Sequence, residues 1–243
     1  MHKKAINQYL HSVSDKLSHR EVVSKTFSDI KNFPLPIGKC FYIMDFKERT
    51  ISFQRDVEKM LGYAPEEFTF ELVANFFHPD DYDIVTRLMR ATLMFATEHD
   101  VTCNVGFSLN YRVRHKNGNY MKVLRQSTIY QHDIEGKIVS NLSVLTDISF
   151  LNISNKVEWR FDAPGLDQQK FKEYVTKEYQ SFFTDRELDI IRLLKQGLKS
   201  NDIAEKLHLS KHTVDTHRRK ILKKSNCKNV VELLNFCSKN GLV

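Results

Sequence analysis

The chain has 243 residues, 41% of them hydrophobic and 28% charged, with a formal net charge of +7. That length allows two modest domains with separate cores, and no apolar run reaches the roughly 18–20 residues of a membrane helix. Charge is uneven: residues 181–243 hold 13 Lys/Arg against 7 Asp/Glu, and residues 1–180 hold 24 against 23, so a polyanion is expected to meet the C-terminal part alone.

The basic start Met1-His2-Lys3-Lys4 is not followed by an apolar stretch, so no secretory signal is expected. Cys40, Cys103, Cys227 and Cys237 form no Cys-x-x-Cys pair and fit no zinc spacing. They read as reduced thiols of a cytoplasmic protein, with no metal and no cofactor.

Residues 1–35 form an N-terminal helical segment. Ile6, Tyr9, Leu10, Val13, Leu17, Val22, Val23, Phe27 and Ile30 recur mostly every three or four residues, as on a helix or a broken pair of helices. The stripe needs a surface to bury against. Asn32-Phe33-Pro34-Leu35-Pro36-Ile37-Gly38 breaks the pattern.

Residues 36–149 follow as an α+β unit. Cys40–Met44 and Thr50–Phe53 read as a hairpin of strands. Asp56–Leu61 reads as a short helix stopped by Gly62, and Glu66–Phe77 as another led by Pro65. A longer amphipathic helix begins after His78-Pro79-Asp80-Asp81 and carries Tyr82, Val85, Leu88, Met89, Leu93 and Met94. Three strands close the set: Val101–Arg114, Tyr120–Tyr130 and Lys137–Ile148, with a tight turn at Asn117-Gly118. The layout is a five-stranded antiparallel sheet with helices on one side.

Four local patterns stand in that order: Gly62-Tyr63-Ala64-Pro65-Glu66-Glu67-Phe68, then His78-Pro79-Asp80-Asp81, then Tyr111-Arg112 with Gly118, and a terminal Asp147-Ile148-Ser149. Together they resemble a PAS domain, and the resemblance implies a sensory or dimerising input unit. Phe41, Ile43, Phe53, Leu72, Phe76, Leu88, Phe107 and Leu109 could line a pocket for a small organic ligand. The same side chains would serve an ordinary closed core, which is the preferred reading. The flavin-photosensor cysteine motif is absent. His78, His99 and His115 read as loop or surface residues rather than haem ligands.

Residues 150–182 read as a connector. Trp159–Gly165 is extended and ends in a turn; Asp167–Tyr179 is a helix with Asp167 available as its cap. Phe161, Phe171, Tyr174, Val175 and Tyr179 make it too apolar for a free tether.

Residues 183–243 read as an all-α unit of four helices. Thr184-Asp185-Arg186-Glu187 is a capping box, with Leu188, Ile191 and Leu194 on the inner face that follows and Gly197 at the left-handed exit. Ser200 is placed as the cap of the second helix, whose inner face is Ile203, Ala204 and Leu207. His208-Leu209 turns the chain, and Ser210 caps a third helix over Lys211–Lys224. Two short helices across such a turn form a helix-turn-helix. At 100° per residue Val214 and Ile221 point inward. His212, Asp215, Thr216, Arg219 and Lys223 point away, with Lys220 at their edge. That face has the groups to enter a major groove.

The segment resembles a LuxR-type (NarL/FixJ-type) DNA-binding domain: Phe183-Thr184-Asp185-Arg186-Glu187, Gly197 through Ile203-Ala204 to Leu207, and Ser210-Lys211-His212-Thr213-Val214-Asp215-Thr216-His217 occupy its signature. The resemblance implies base or groove contacts by His212, Asp215, Thr216 and Arg219. It implies phosphate contacts by Lys199, Ser200, Asn201, Lys211, Thr213, Lys220 and Lys223, and a dimer helix over Asn229–Lys239. The function implied is a dimeric, sequence-specific transcription regulator and not an enzyme, with double-stranded DNA as partner and RNA polymerase as a further one. Two rival classes stand beside it: an interaction adaptor whose helix-turn-helix no longer meets DNA, and a cofactor-binding sensor.

Overall fold

A computed structural model describes residues 2–18, 22–23, 35–99, 105–151, 155–162, 168–240 and 242. Expectations placed on Cys103, Phe27, Ile30, Pro34, the turn at Ala163–Gly165 and the cap at Asp167 lie outside the described residues. The chain divides into two compact units, Met1–Gln168 and Gln169–Val243.

The first unit opens with α1 (His2–Leu17). Its stripe buries Leu10, Val13 and Leu17, and Ser14 donates its hydroxyl to the Lys47 carbonyl at 2.7 Å. The helical pattern does not continue to Val22 and Val23. They form β1 (Val22–Val23), antiparallel to His132 and Asp133.

Next come β2 (Lys39–Asp45), β3 (Thr50–Arg55) and α2 (Val57–Leu61). They lead through α3 (Phe70–Val73) to α4 (Pro79–Glu98), then to β4 (Gly106–Arg114), β5 (Tyr120–Asp133), β6 (Ile138–Asp147) and β7 (Glu158–Asp162). The five expected strands are present, and the sheet is wider than expected. Its order is β3-β2-β6-β5-β4-β7, with β1 on β5.

Edge chemistry accounts for both additions. β5 runs past the end of its β4 ladder at Gly106–Thr128, which leaves backbone groups for β1. The other edge of β4 is taken by β7, a piece of the connector, from Gly106–Asp162 to Asn110–Glu158. Unpaired strand edges invite such partners.

The helical stretch expected over Glu66–Phe77 is reduced to the four residues of α3. The preceding segment is spent on a turn: the Ala64 amide donates to Glu67 Oε2 at 2.8 Å. Thr69 then caps α3 by accepting from the Leu72 amide at 3.2 Å.

The motif residues tie these pieces to the β4–β5 hairpin. Gly62 sits at φ +78°, and a Cβ there would lie 2.8 Å from His115 Cε1; only glycine suits both the conformation and the approach. Tyr63 donates to the Arg114 carbonyl at 3.1 Å, and Lys116 pairs with Glu67 at 2.7 Å. His78 caps α4 by accepting from the Asp80 amide at 3.1 Å. Asp81 is fully buried and accepts from the Arg112 amide at 2.8 Å, from its Nε at 3.1 Å and from its Nη2 at 2.6 Å. This pair fastens the helix entry to β4, beyond the helix-dipole role that its position alone suggests.

The core lies between the sheet and α4. β4 alternates, burying Phe107, Leu109, Tyr111 and Val113, and α4 contributes Ile84, Val85, Leu88, Ala91 and Phe95. Burial pushes the Cys40 thiol up to about 12, as expected of a structural rather than reactive cysteine.

The second unit holds α5 (Gln168–Tyr179), α6 (Asp185–Lys195), α7 (Ser200–Lys206), α8 (Lys211–Lys224) and α9 (Val230–Lys239). Ile190, Ile191, Leu194, Ile203, Val214, Ile221, Leu233 and Phe236 make its core. The inner face of α6 is rotated from expectation: Ile190 is buried and Leu188 only half-buried. Leu207, placed on the inner face of α7, is also half-buried and lies at the helix end. The connector helix joins this unit through Tyr179, whose ring lies 5.7 Å from that of Phe236 and 5.3 Å from that of Phe182.

Candidate nucleic-acid interface

The helix-turn-helix is set by its caps. Thr184 Oγ1 accepts from the Glu187 amide at 3.3 Å, and the Thr184 amide donates to Glu187 Oε2 at 2.9 Å. Lys224 at the end of α8 also reaches Glu187 Oε2, at 3.2 Å, and its ammonium lies over the rings of Phe182 and Phe183. Burial alone would raise the Glu187 carboxyl. The Thr184 amide and Lys224 outweigh it and hold that carboxyl below its ordinary range.

Gly197 leaves α6 at φ +82°. The start of α7 departs from expectation: Lys199 holds the capping position, and its amide donates to Asp202 Oδ2 at 3.1 Å. Ser200 is the first residue inside the helix and is buried. At the helix-turn-helix bend His208 takes φ +51°, the Leu209 amide bonds the Ala204 carbonyl at 2.9 Å, and Arg186 donates to the Leu207 carbonyl at 2.7 Å. Ser210 then caps α8, accepting from the Thr213 amide at 3.0 Å.

On α8, Val214 and Ile221 are fully buried. His212, Arg219, Lys220 and Lys223 are exposed, and Asp215 and Thr216 half-exposed. The expected reading face is therefore one continuous polar surface. Arg219 Nη2 donates to the Thr216 hydroxyl at 3.1 Å, which orients the guanidinium along the helix.

Asp215, half-exposed on that surface, sets its carboxylate beside a polar network at the start of α7. The Ser200 hydroxyl beside it is the main cause that holds its carboxyl below the usual range, with Lys211, Arg218 and Arg219 adding to the effect. Arg218 donates to the same hydroxyl at 2.5 Å. Among the expected phosphate-contacting residues, Lys199, Asn201, Lys211, Lys220 and Lys223 are exposed. Thr213 shares its hydroxyl with Ser210 at 2.8 Å. The Ser200 side chain does not reach the surface, because its hydroxyl is occupied between α7 and α8. Helix phase puts the stem of Arg218 on the inner side of α8, but a serine on another helix as its partner has no signal in the local sequence.

In the first unit, two adjoining cavities of about 60 and 40 Å³ lie between α4 and the sheet. Phe107 lines both. Of the other expected pocket residues, Phe41, Ile43, Phe76, Leu88 and Leu109 are buried in the surrounding core, while Phe53 and Leu72 are half-buried. The larger cavity is instead lined by Arg125, Ser127 and Asn141, with Tyr9 and Leu10 of α1 at its rim. Strand period carried a signal for Arg125 that was missed: Val123, Arg125 and Ser127 share one face of β5, and Val123 is fully buried.

Residues 181–237 match the family of bacterial regulatory proteins, luxR family, and residues 50–145 match the PAS fold. The transcriptional regulatory protein YxjL of Bacillus subtilis is 43% identical over 61 residues, 25% of this chain and 28% of that protein. The virulence factors putative positive transcription regulator BvgA of Bordetella pertussis is 39% identical over 62 residues, 26% of this chain and 30% of that one. The chain thus spans less than a third of the length of these relatives. Among solved structures, the N-terminal domain of a diguanylate cyclase with PAS/PAC sensor from Marinobacter aquaeolei is 17% identical, covering 46% of this chain and 96% of that one with a TM-score of 0.38. The VqmA dimer of Vibrio cholerae is 14% identical, covering 88% and 86%, with a TM-score of 0.32. Residues 181–237 are a LuxR-type regulatory domain, and they follow a PAS fold in the same chain.

Proposed function

We propose that the protein is a sequence-specific DNA-binding transcription regulator whose PAS unit supplies the input. The observation that carries this reading is the surface of α8: His212, Thr216, Arg219, Lys220 and Lys223 stand clear of the core on a helix capped at its start. Thr216 and Arg219 are placed to meet base edges, and Lys211, Lys220 and Lys223 to meet phosphates. Asp215 is assigned a positioning role, since its carboxylate faces Ser200 and the neighbouring cations. The net charge of the C-terminal residues supports the same partner.

Helix α9 leaves Val231 69% exposed, which supports a dimer contact there. A two-fold dimer would read a near-palindromic site with half-sites about one helical turn apart. The test is selection of bound sequences from a random duplex library with the full chain, followed by anisotropy titration. An enriched palindrome bound in a salt-dependent way supports the reading. No binding at low salt, or binding with no sequence enrichment, removes it.

A further inference from the structure

The larger cavity of the PAS unit is walled by apolar side chains (Phe46, Leu93, Phe107 and Ile138 among them), yet among the described residues it also carries two arginines, Arg90 and Arg125, and no carboxylate. Arg125 is only 4% exposed. Its Nε donates to Ser127 Oγ at 2.9 Å and to Ser143 Oγ at 3.1 Å, and its Nη1 reaches Met89 Sδ at 3.7 Å. The guanidinium also lies 5.9 Å from the centre of the Tyr42 ring. All these groups are neutral, and none of the described carboxylates pairs with it. A buried lysine could shed its proton, but arginine stays charged. Charge buried in this way is costly unless an anion meets it.

A second observation points the same way. Asn141, 8% exposed, lines the same cavity, and its Oδ1 is buried without a hydrogen-bond partner among the described residues. Tyr42 and Tyr111 bury their phenols beside it, facing Ser143 and the Arg125 guanidinium, so the arginine's own surroundings hold only neutral groups. A buried polar atom such as the Asn141 oxygen is rare unless a ligand or water completes it. β5 and β6 place Ser127 opposite Ser143 and Ile129 opposite Asn141, so the guanidinium and the amide oxygen lie along one inner face.

We propose that this cavity binds a small organic acid: its carboxylate accepts from Arg125, a donor group on the same molecule bonds Asn141 Oδ1, and its apolar body packs on Phe107, Leu93 and Ile138. The planar fork of a guanidinium matches a carboxylate, and the apolar walls favour an organic acid over inorganic phosphate. The proposal rests on the PAS unit being the input half, and it names the class of signal.

The test is isothermal titration of the full chain with 3-hydroxybutyrate and with 3-hydroxybenzoate, each beside its amide and its deoxy acid. At least one hydroxy acid is expected to bind saturably, with its amide at least tenfold weaker. Arg125→Met is expected to remove the preference for acid over amide, and Asn141→Ala the preference for hydroxy over deoxy acid. Circular dichroism reports whether each variant is folded; if Arg125→Met is not, Arg125→Lys takes its place, with a reduced preference expected. Binding of neither acid, equal binding of the amides, or unchanged selectivity in the folded variants overturns the proposal. DNA affinity is measured in the same preparations, first without acid and then with it. Its absence would remove the regulator reading while leaving the cavity result standing, and acid binding with unchanged DNA affinity would keep the site but deny it control.

Discussion

Arg218 on α8 and Ser200 at the start of α7 are joined by a hydrogen bond of 2.5 Å. The serine is buried and the guanidinium half-buried, so the bond braces the two helices of the helix-turn-helix from within. Ser200→Ala would leave the guanidinium short of an acceptor and Asp215 short of a donor. The expected cost is about 1.5–3 kcal/mol, as for a hydrogen bond to a charged group. Urea denaturation followed by far-UV circular dichroism checks it; the single tryptophan, Trp159, lies in the first unit and would not report on these helices. An unchanged midpoint would show that the bond contributes nothing.

Arg219 and Lys223 are expected to separate on DNA. Arg219→Ala should cost about 1–3 kcal/mol on the selected site and relax its sequence preference, as for loss of a base contact. Lys223→Ala should weaken all sequences alike and lower the salt slope by about one phosphate. Anisotropy titrations on selected and scrambled duplexes at several salt concentrations distinguish the two. Identical behaviour of the variants would contradict the division of roles.

Glu187 should make the second unit sensitive to acid. Its carboxyl is lower in the folded chain than in the unfolded one, so its stabilising effect is complete above the ordinary glutamate value and is lost as pH falls through the folded value. Glu187→Gln should cost about 0.5–2 kcal/mol near neutrality, the range for loss of a cap. The denaturation midpoints of variant and parent should draw together as pH falls below the ordinary glutamate value of about 4.3. A constant gap across pH would remove the carboxylate from the account.

Asp81 and Asp80 are adjacent yet expected to differ sharply. Asp81→Asn breaks a pair whose carboxylate is fully buried and whose arginine is 13% exposed, which typically costs about 3–5 kcal/mol. Asp80 is 49% exposed and 3.7 Å from the same arginine, so Asp80→Asn should cost no more than about 1 kcal/mol. Tryptophan fluorescence during denaturation follows this unit. Equal losses would mean that the second aspartate carries the pair.

The caps were legible because they are local. Thr184 and Glu187, or Ser210 and the Thr213 amide, lie within one turn, and residue type together with spacing fixes the bond. Gly62 and Gly197 were legible for the same reason. Sheet edges were not: nothing in Val22-Val23 or Trp159-Arg160-Phe161 says which edge is free, since that depends on how far β5 overruns β4. Period alone kept Val22 and Val23 in a helix. Among the residues expected to contact DNA, exposure followed helix phase, but Ser200 is buried, because a partner on another helix took its hydroxyl. The cavity eluded expectation most. Listing apolar residues found its surrounding core, and the informative residues were the polar ones, Arg125 and Asn141, on inward positions of β5 and β6.

Phe161 pairs in register with Phe107 across β7 and β4, and both side chains line the smaller cavity, which shares Asn141 and Ser127 with the larger one. The strand by which the chain leaves the PAS unit is therefore a wall of its own cavity. Thermodynamic reciprocity then applies: any event that shifts β7 must alter the affinity of the cavity for its occupant by the same factor with which the occupant favours or opposes that shift. Titrating the cavity with operator DNA present and absent would read that factor from the opposite end of the chain.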